Sequence, residues 1–66
     1  MDNRTKDRLA IILLDSYEGL EYKHKASVLS LYKNAGDIFD DVSLAVEYIA
    51  NNLGSSAANT IERSFN

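Results

Sequence analysis

Apolar residues recur at helical spacing along most of the chain. The first such segment runs from Leu9 to Leu14 and continues to Tyr17, with Leu9, Ile12 and Leu13 at i, i+3, i+4 spacing. Its apolar positions nearly encircle the helix. The pattern therefore predicts a central helix over about residues 4–16 that is covered on more than one face.

Gly19 predicts the end of this first helix. Because glycine readily adopts a positive φ, we expect a tight turn here that folds the first helix back onto a second one. Leu20 is expected to be buried as the anchor of the turn. The second helix is predicted from Tyr22 to Lys33, and its apolar face comprises Ala26, Val28, Leu29, Leu31 and Tyr32.

Three more helices are predicted after Lys33. Asn34 and Asp37 form a variant of the capping box, which indicates a short third helix whose Ile38 and Phe39 enter the core. A fourth helix is predicted from Val42 to Leu53, ending at Gly54. Ser55 or Ser56 is expected to cap a fifth helix, whose apolar stripe comprises Ala58, Ile61 and Phe65.

This pattern predicts an all-α fold, a compact bundle of four to five short helices of the SAM-like or helix-hairpin-helix type. The absence of Pro, the presence of three Gly and the lack of strand-like alternation agree with it. We expect one domain over residues 1–66. Since a chain this short buries only about 60% of its unfolded surface, we expect it to be stabilised by a partner or by the rest of a longer protein, of which it would be a fragment.

The composition of the chain excludes several classes of functional site. The chain has no Cys and one His, His24, so disulfides, thiolate metal sites and His-rich metal clusters are excluded, and no cofactor is expected. Its longest apolar run is too short for a membrane span, and we expect a cytoplasmic protein without membrane contact. As candidate nucleophiles, Ser55 and Ser56 lack a local base. No catalytic residue is predicted, so we do not expect an enzyme.

The chain contains one basic cluster, and it has two interpretations. The net charge of −3 opposes strong attraction to nucleic acid, which depends largely on phosphate contacts. Lys23, His24 and Lys25 could contact a phosphate at the start of the second helix. They are better explained as a solvated face that balances Glu18 and Glu21, because isolated surface charges contribute little. A cluster of Asp37, Asp40 and Asp41 is better explained by helix capping than by cation binding.

A family resemblance adds to this interpretation. Glu18–Glu21 reads EGLE, Lys23 and Lys25 follow, and Val28–Phe39 reads VLSLYKNAGDIF. This order resembles the N-terminal domain of the DprA/Smf DNA-processing family. Members of that family have a P-G-[IL]-G segment, then a basic helix, then LL-x-x-F-G-S-P-E-x-[IL].

The resemblance implies an accessory N-terminal domain of a DprA-like protein that acts in DNA uptake, natural transformation and recombination. In that family a Rossmann-like core follows, binds single-stranded DNA and helps to load a RecA-type recombinase. The implied partners are DNA, bound weakly or indirectly, other domains of the same chain and that recombinase. The residues implied in nucleic-acid binding are Gly19, Leu20, Tyr22, Lys23 and Lys25.

One departure from the family pattern supports an alternative. Glu21 stands where the family has its second hairpin glycine, and its charge would oppose a phosphate at the helix N-terminus. The alternative is a protein–protein interaction module of the SAM-like type that binds no nucleic acid. Both interpretations leave the oligomeric state open.

Overall fold

Four α-helices and one 3₁₀ helix form the part of the chain that the computed structural model describes, residues 2–66, and no β-strand occurs there. Met1 of the predicted domain lies outside it. The elements are α1 (Asn3–Asp15), α2 (Tyr22–Ser30), the 3₁₀ helix (Ala35–Phe39), α3 (Ser43–Leu53) and α4 (Ser55–Phe65). The prediction of an all-α bundle of short helices is confirmed.

Asp2 and Ser16 define the two ends of α1. The Asp2 carboxylate accepts a 2.7 Å hydrogen bond from the Thr5 N–H and so caps the helix. This bond lowers the pKa of Asp2, because it stabilises the charged form. At the other end the Ser16 hydroxyl donates to the Leu13 carbonyl at 2.7 Å. Both bonds satisfy backbone groups that a helix end leaves unpaired.

The prediction that α1 is covered on more than one face is wrong. Ala10 and Leu14 are buried, whereas Ile11 is 43% and Ile12 is 53% exposed. The reason is that α1 packs against the 3₁₀ helix and, to a lesser extent, α4, both of which contact its Ala10–Leu14 side. No element among residues 2–66 covers the opposite side.

The predicted positive φ at Gly19 is also wrong. Among residues 2–66, only Gly54 has a positive φ, 96°. The loop at Gly19 is instead closed by the Leu20 N–H, which donates to the Tyr17 carbonyl at 3.2 Å. Glycine fits here because a Cβ would lie 2.6 Å from Cε1 of the Tyr17 ring. Leu20 itself is buried, as predicted.

The main helical hairpin lies at Gly54 rather than at Gly19. α3 and α4 are joined by this single residue and form the most extensive helix pair, while α2 packs on α3 rather than principally on α1. Gly54 has φ 96° and ψ 167°, a backbone region essentially restricted to glycine. No serine side chain caps α4, contrary to the expectation for Ser55 or Ser56, because Gly54 itself is the N-cap residue.

α2 ends at Ser30, three residues before the predicted end at Lys33. The Leu31 and Tyr32 N–H groups donate to the carbonyls of Val28 and Leu29, at 3.1 and 3.2 Å, in the tighter i→i+3 pattern that ends a helix. The change of direction leaves Leu31 exposed and takes Tyr32 to the start of α3. Ala26, which was assigned to the apolar face, is exposed as well.

The core draws on all five elements. Its largest fully buried side chains are Leu14, Val28, Ile38, Ile49 and Ile61. Phe39 and Phe65 close one end of the core with an edge-to-face contact at 5.1 Å between ring centroids. The 3₁₀ helix is held at its start by the Asp37 carboxylate, which accepts from the Asn34 N–H at 3.2 Å, as the predicted capping box requires.

Candidate interaction surfaces

The predicted nucleic-acid residues lie around the start of α2 but do not share one accessible surface. Leu20 belongs to the core, so its side chain is not available to a ligand. Tyr22 is 84% exposed, and its ring extends into solvent. Lys23 is also exposed, with its Nζ 3.7 Å from the Glu21 carboxylate.

Lys25 faces α1 instead of solvent. Its Nζ lies 3.1 Å from Asp15 Oδ1, and its side chain is 23% exposed. This ion pair connects α2 to the end of α1, which is a structural role. Of the predicted cluster, Tyr22 and Lys23 therefore remain as the side chains that a nucleic acid could reach.

A shallow cleft of about 420 Å³ adjoins Gly19 and is lined by Ser16, Tyr17, Glu18, Gly19, Thr60 and Ser64. Its hydroxyl groups already donate within their own helices: Ser16 to Leu13, Thr60 to Ser56 and Ser64 to Thr60. Glu18 contributes a negative charge. The cleft therefore offers few free donors to an anion.

His24 lies in α2, beside Tyr48 of α3. Its ring centroid is 6.4 Å from that of Tyr48, and its Nδ1 is buried without a hydrogen-bond partner. The Tyr48 side chain is half-buried. His24 thus acts as a packing residue between the two helices.

An apolar groove lies between the end of α2 and α3. It has a volume of about 270 Å³ and is lined by Leu31, Leu44, Glu47, Tyr48, Asn51 and Asn52. Leu31 is 41% and Leu44 is 43% exposed. We call this surface the Leu31–Leu44 groove.

The polar residues of this groove are only partly engaged within the chain. Asn52 donates to the Tyr48 carbonyl at 2.8 Å. Within residues 2–66, Glu47 has no ion pair and the Asn51 side chain has no hydrogen bond. The groove thus combines two exposed leucines with a free carboxylate and a free amide.

Tyr32 holds the two sides of the groove together. Its hydroxyl donates to the Asp41 carbonyl at 2.7 Å and accepts from the Ala45 N–H at 3.0 Å. The second bond supplies the first turn of α3 with a partner that its N-cap residue, Val42, does not provide. Burial raises the pKa of Tyr32, an effect that the Ala45 hydrogen bond reduces and the nearby Asp41 charge strengthens.

Sequence reasoning missed this groove. Leu31 was assigned to the buried face because α2 was expected to continue to Lys33. Leu44 could have been noticed, since it lies off the helical stripe formed by Ala45 and Ile49. That mismatch is a weak signal, because single exposed leucines are common on protein surfaces.

The three aspartates of the predicted acidic cluster have structural roles. Asp37 caps the 3₁₀ helix, Asp40 pairs with Lys6 at 3.1 Å, and Asp41 accepts from the Ser43 N–H at 3.1 Å. Among residues 2–66 no group of three or more His, Cys, Asp or Glu could hold a metal ion. Over the same range, every helix falls short of the length and apolar character that a membrane crossing requires.

Comparison with known proteins identified no relative. The chain has no significant match among protein-family models, curated proteins or solved structures.

Proposed function

We propose that the chain is a protein-docking module whose Leu31–Leu44 groove binds an apolar, basic helical segment of a partner protein or of another domain. The observation that carries the proposal is the adjacent exposure of Leu31 and Leu44 in one groove. Recognition of an amphipathic helix by an apolar groove is a recurrent mode of protein–protein binding.

The charges around the groove favour a basic segment. Glu47 lines the groove and is free to pair with a lysine or arginine of the ligand. The whole chain carries a net charge of −3, which adds a weak long-range attraction for a cation. Asn51 can hydrogen-bond polar groups at the rim, where interfaces are usually polar.

The same charges disfavour the nucleic-acid alternative. Lys25 is used by Asp15, and Lys23 lies beside Glu21, so the positive charge at the start of α2 is largely compensated. A phosphate there would also approach the carboxylates of Glu18 and Glu21. Docking of a protein segment does not require this region.

Titration of the isotope-labelled chain with two synthetic helical peptides tests the proposal. One peptide presents leucines at i, i+3 and i+7 with flanking lysines; the other has the same leucines with glutamates. We expect the basic peptide to shift the NMR signals of Leu31, Leu44 and Tyr48, and the acidic peptide to bind more weakly. Leu44→Arg should abolish the shifts, whereas Lys33→Asp, a charge change at an exposed position outside the groove lining, should not. Shifts away from the groove, or none with either peptide, would exclude this function.

A second candidate is the accessory domain of a DprA-like DNA-processing protein. The resemblance over Glu18–Phe39 supports it, and Tyr22 and Lys23 extend into solvent where such a domain would meet DNA. Exposed aromatic rings can stack on unpaired bases, and a nearby lysine can contact the backbone. In this case the chain would position a DNA-binding core and its recombinase partner within a longer protein.

Binding of a fluorescent oligonucleotide at several salt concentrations tests the second candidate. Phosphate contacts predict affinity that falls steeply as salt increases. Tyr22→Ala and Lys23→Glu should each weaken binding to single-stranded DNA, while Leu44→Arg should not. Absence of binding at low salt would rule out a direct DNA contact by this chain.

A further inference from the structure

The exposed side of α1 carries a regular stripe of residues. Arg4, Arg8, Ile11 and Asp15 follow one another at intervals of four, three and four, the spacing that aligns side chains for pairing with another helix. Ile12 lies directly beside this stripe. All five side chains are exposed, Ile11 by 43% and Ile12 by 53%. We call this set the α1 stripe.

The order of charges along the α1 stripe is self-complementary. Two arginines precede the isoleucines, and carboxylates follow them, Asp15 at the end of α1 and Glu18 in the loop. Within residues 2–66, Arg4 and Arg8 take part in no ion pair. An antiparallel copy of this helix presents the same groups in the reverse order. Positive residues of one copy then face negative residues of the other, and the apolar residues face each other.

We propose that α1 pairs with α1 of a second copy of this chain, in an antiparallel arrangement about a twofold axis near Ile11 and Ile12. A twofold interface is isologous, so each contact occurs twice. In this register the isoleucines of the two copies meet at the centre. Arg8 of each copy then faces Asp15 of the other, and Arg4 lies near Glu18 of the other.

The intramolecular pair of Asp15 is compatible with this arrangement. Lys25 Nζ contacts Asp15 Oδ1 at 3.1 Å, while the Asp15 side chain remains 61% exposed. A carboxylate has two oxygens and several acceptor positions, so it can accept an arginine as well as Lys25. The existing ion pair also holds Asp15 in place for the second copy.

The size of the α1 stripe sets the strength of the association. α1 has 13 residues, and a helix of that length is about 20 Å long. One helix face of this length buries less than the area of about 1,200–2,000 Å² that is typical of stable complexes. The dimer is therefore a weak and reversible one that forms as the concentration is raised.

This inference goes beyond the proposed function, because it uses a different surface and a different partner. The Leu31–Leu44 groove is lined by Leu31, the residue after α2, and by residues of α3, and none of its lining residues belongs to α1. Leu44→Arg, which should abolish peptide docking, should leave self-association unchanged. The two proposals can therefore fail independently, and the experiments show which of them has failed.

Sedimentation equilibrium of the chain at low salt, over a wide concentration range, tests the dimer. We expect a monomer–dimer equilibrium that weakens as salt is added, since exposed charge pairs are screened. Ile12→Arg should remove the dimer while the helical circular dichroism is retained, because Ile12 is 53% exposed. Lys33→Asp, a charge change at an exposed position outside the stripe, should leave the dimer intact.

A charge-reversal mixture provides the decisive measurement. Arg8→Asp alone and Asp15→Arg alone each place like charges opposite one another twice, so each should weaken self-association by about tenfold or more. When the two variants are mixed, both pairs in the mixed dimer become attractive, and association should recover. A chain that stays monomeric at every concentration, a dimer insensitive to Ile12→Arg, or a mixture without recovery would overturn the proposal.

Discussion

The backbone N–H of Gly36 donates a 2.7 Å hydrogen bond to Asp7 Oδ1, which joins the 3₁₀ helix to α1 across 29 residues of sequence. Gly36 is buried, so this N–H has little access to water. A Cβ on Gly36 would lie 2.7 Å from Lys6 Cβ and 3.0 Å from the Asp7 backbone nitrogen. The close approach of the two elements therefore depends on glycine at this position.

Gly36→Ala should destabilise the protein. The added methyl group would meet the backbone of α1, which cannot move as easily as the end of a side chain, so we expect a loss of about 1–3 kcal/mol. Urea denaturation, monitored by circular dichroism, measures this change in the free energy of unfolding. Asp7→Ala should cause a loss of about 1–3 kcal/mol by leaving the Gly36 N–H unpaired, whereas Asp7→Asn should cost less, since its amide oxygen can still accept. A Gly36→Ala variant as stable as the parent would contradict this packing.

Tyr32→Phe should destabilise the bundle through α3. It removes the hydroxyl that donates to the Asp41 carbonyl and accepts from the Ala45 N–H. Leaving the partly buried Ala45 N–H without a partner costs about 1–3 kcal/mol. Tyr22→Phe is the matched control, because the Tyr22 side chain is 84% exposed. Equal melting temperatures for the two variants would show that the Tyr32 hydroxyl does not contribute.

The raised pKa of Tyr32 predicts a loss of stability at alkaline pH. The folded protein holds the Tyr32 proton more tightly than the unfolded chain, whose tyrosine has the ordinary pKa of 10.0. The contribution of Tyr32 is thus fully present below pH 10.0 and is lost as pH rises through the higher pKa of the folded state. Urea midpoints measured between neutral and alkaline pH should fall less steeply for Tyr32→Phe than for Tyr22→Phe. Parallel curves would contradict the prediction.

Gly54→Ala should be more damaging than Gly19→Ala. A non-glycine residue at φ 96° and ψ 167° is strained, which costs about 1–3 kcal/mol, even though no atom lies within 4 Å of the new Cβ. At Gly19 the obstacle is the ring of Tyr17, a half-buried side chain that can rotate away. The melting temperatures of the two variants measure this difference. A lower melting temperature for Gly19→Ala than for Gly54→Ala would show that the turn at Gly19 is the more critical one.

Ile49→Ala and Ile12→Ala compare buried and exposed positions. Ile49 is fully buried, so its truncation should cost about 2–5 kcal/mol. The total stability of a domain this small is about 3–10 kcal/mol, so much of it would be lost. Ile12→Ala should have little effect on folding, and Leu13→Ala, at a half-buried position, should fall between them. A large loss at Ile12 under conditions where the chain is monomeric would place it in the core.

The candidate groove could not be predicted from the sequence, because its two leucines come together only through tertiary contacts. Leu31 and Leu44 are separated by the 3₁₀ helix, and their proximity depends on the Tyr32 hydroxyl bonds that draw the end of α2 to α3. The basic segment at Lys23 and Lys25 is visible in the sequence. The pairing of these lysines with Glu21 and Asp15 depends on side-chain positions that the tertiary structure sets.

The order of helices was determined by the sequence itself. Helical spacing of apolar residues and the glycine before Ser55 predicted α3, α4 and the break between them, because such signals act within a few residues. Tertiary structure decided which helices pack together and which surfaces remain open. The sharp hairpin lies at Gly54, and α1 packs against the 3₁₀ helix at Gly36. This packing leaves Ile11 and Ile12 exposed. These outcomes depend on contacts between residues far apart in the chain, and periodicity carries no information about which neighbour will cover an apolar face.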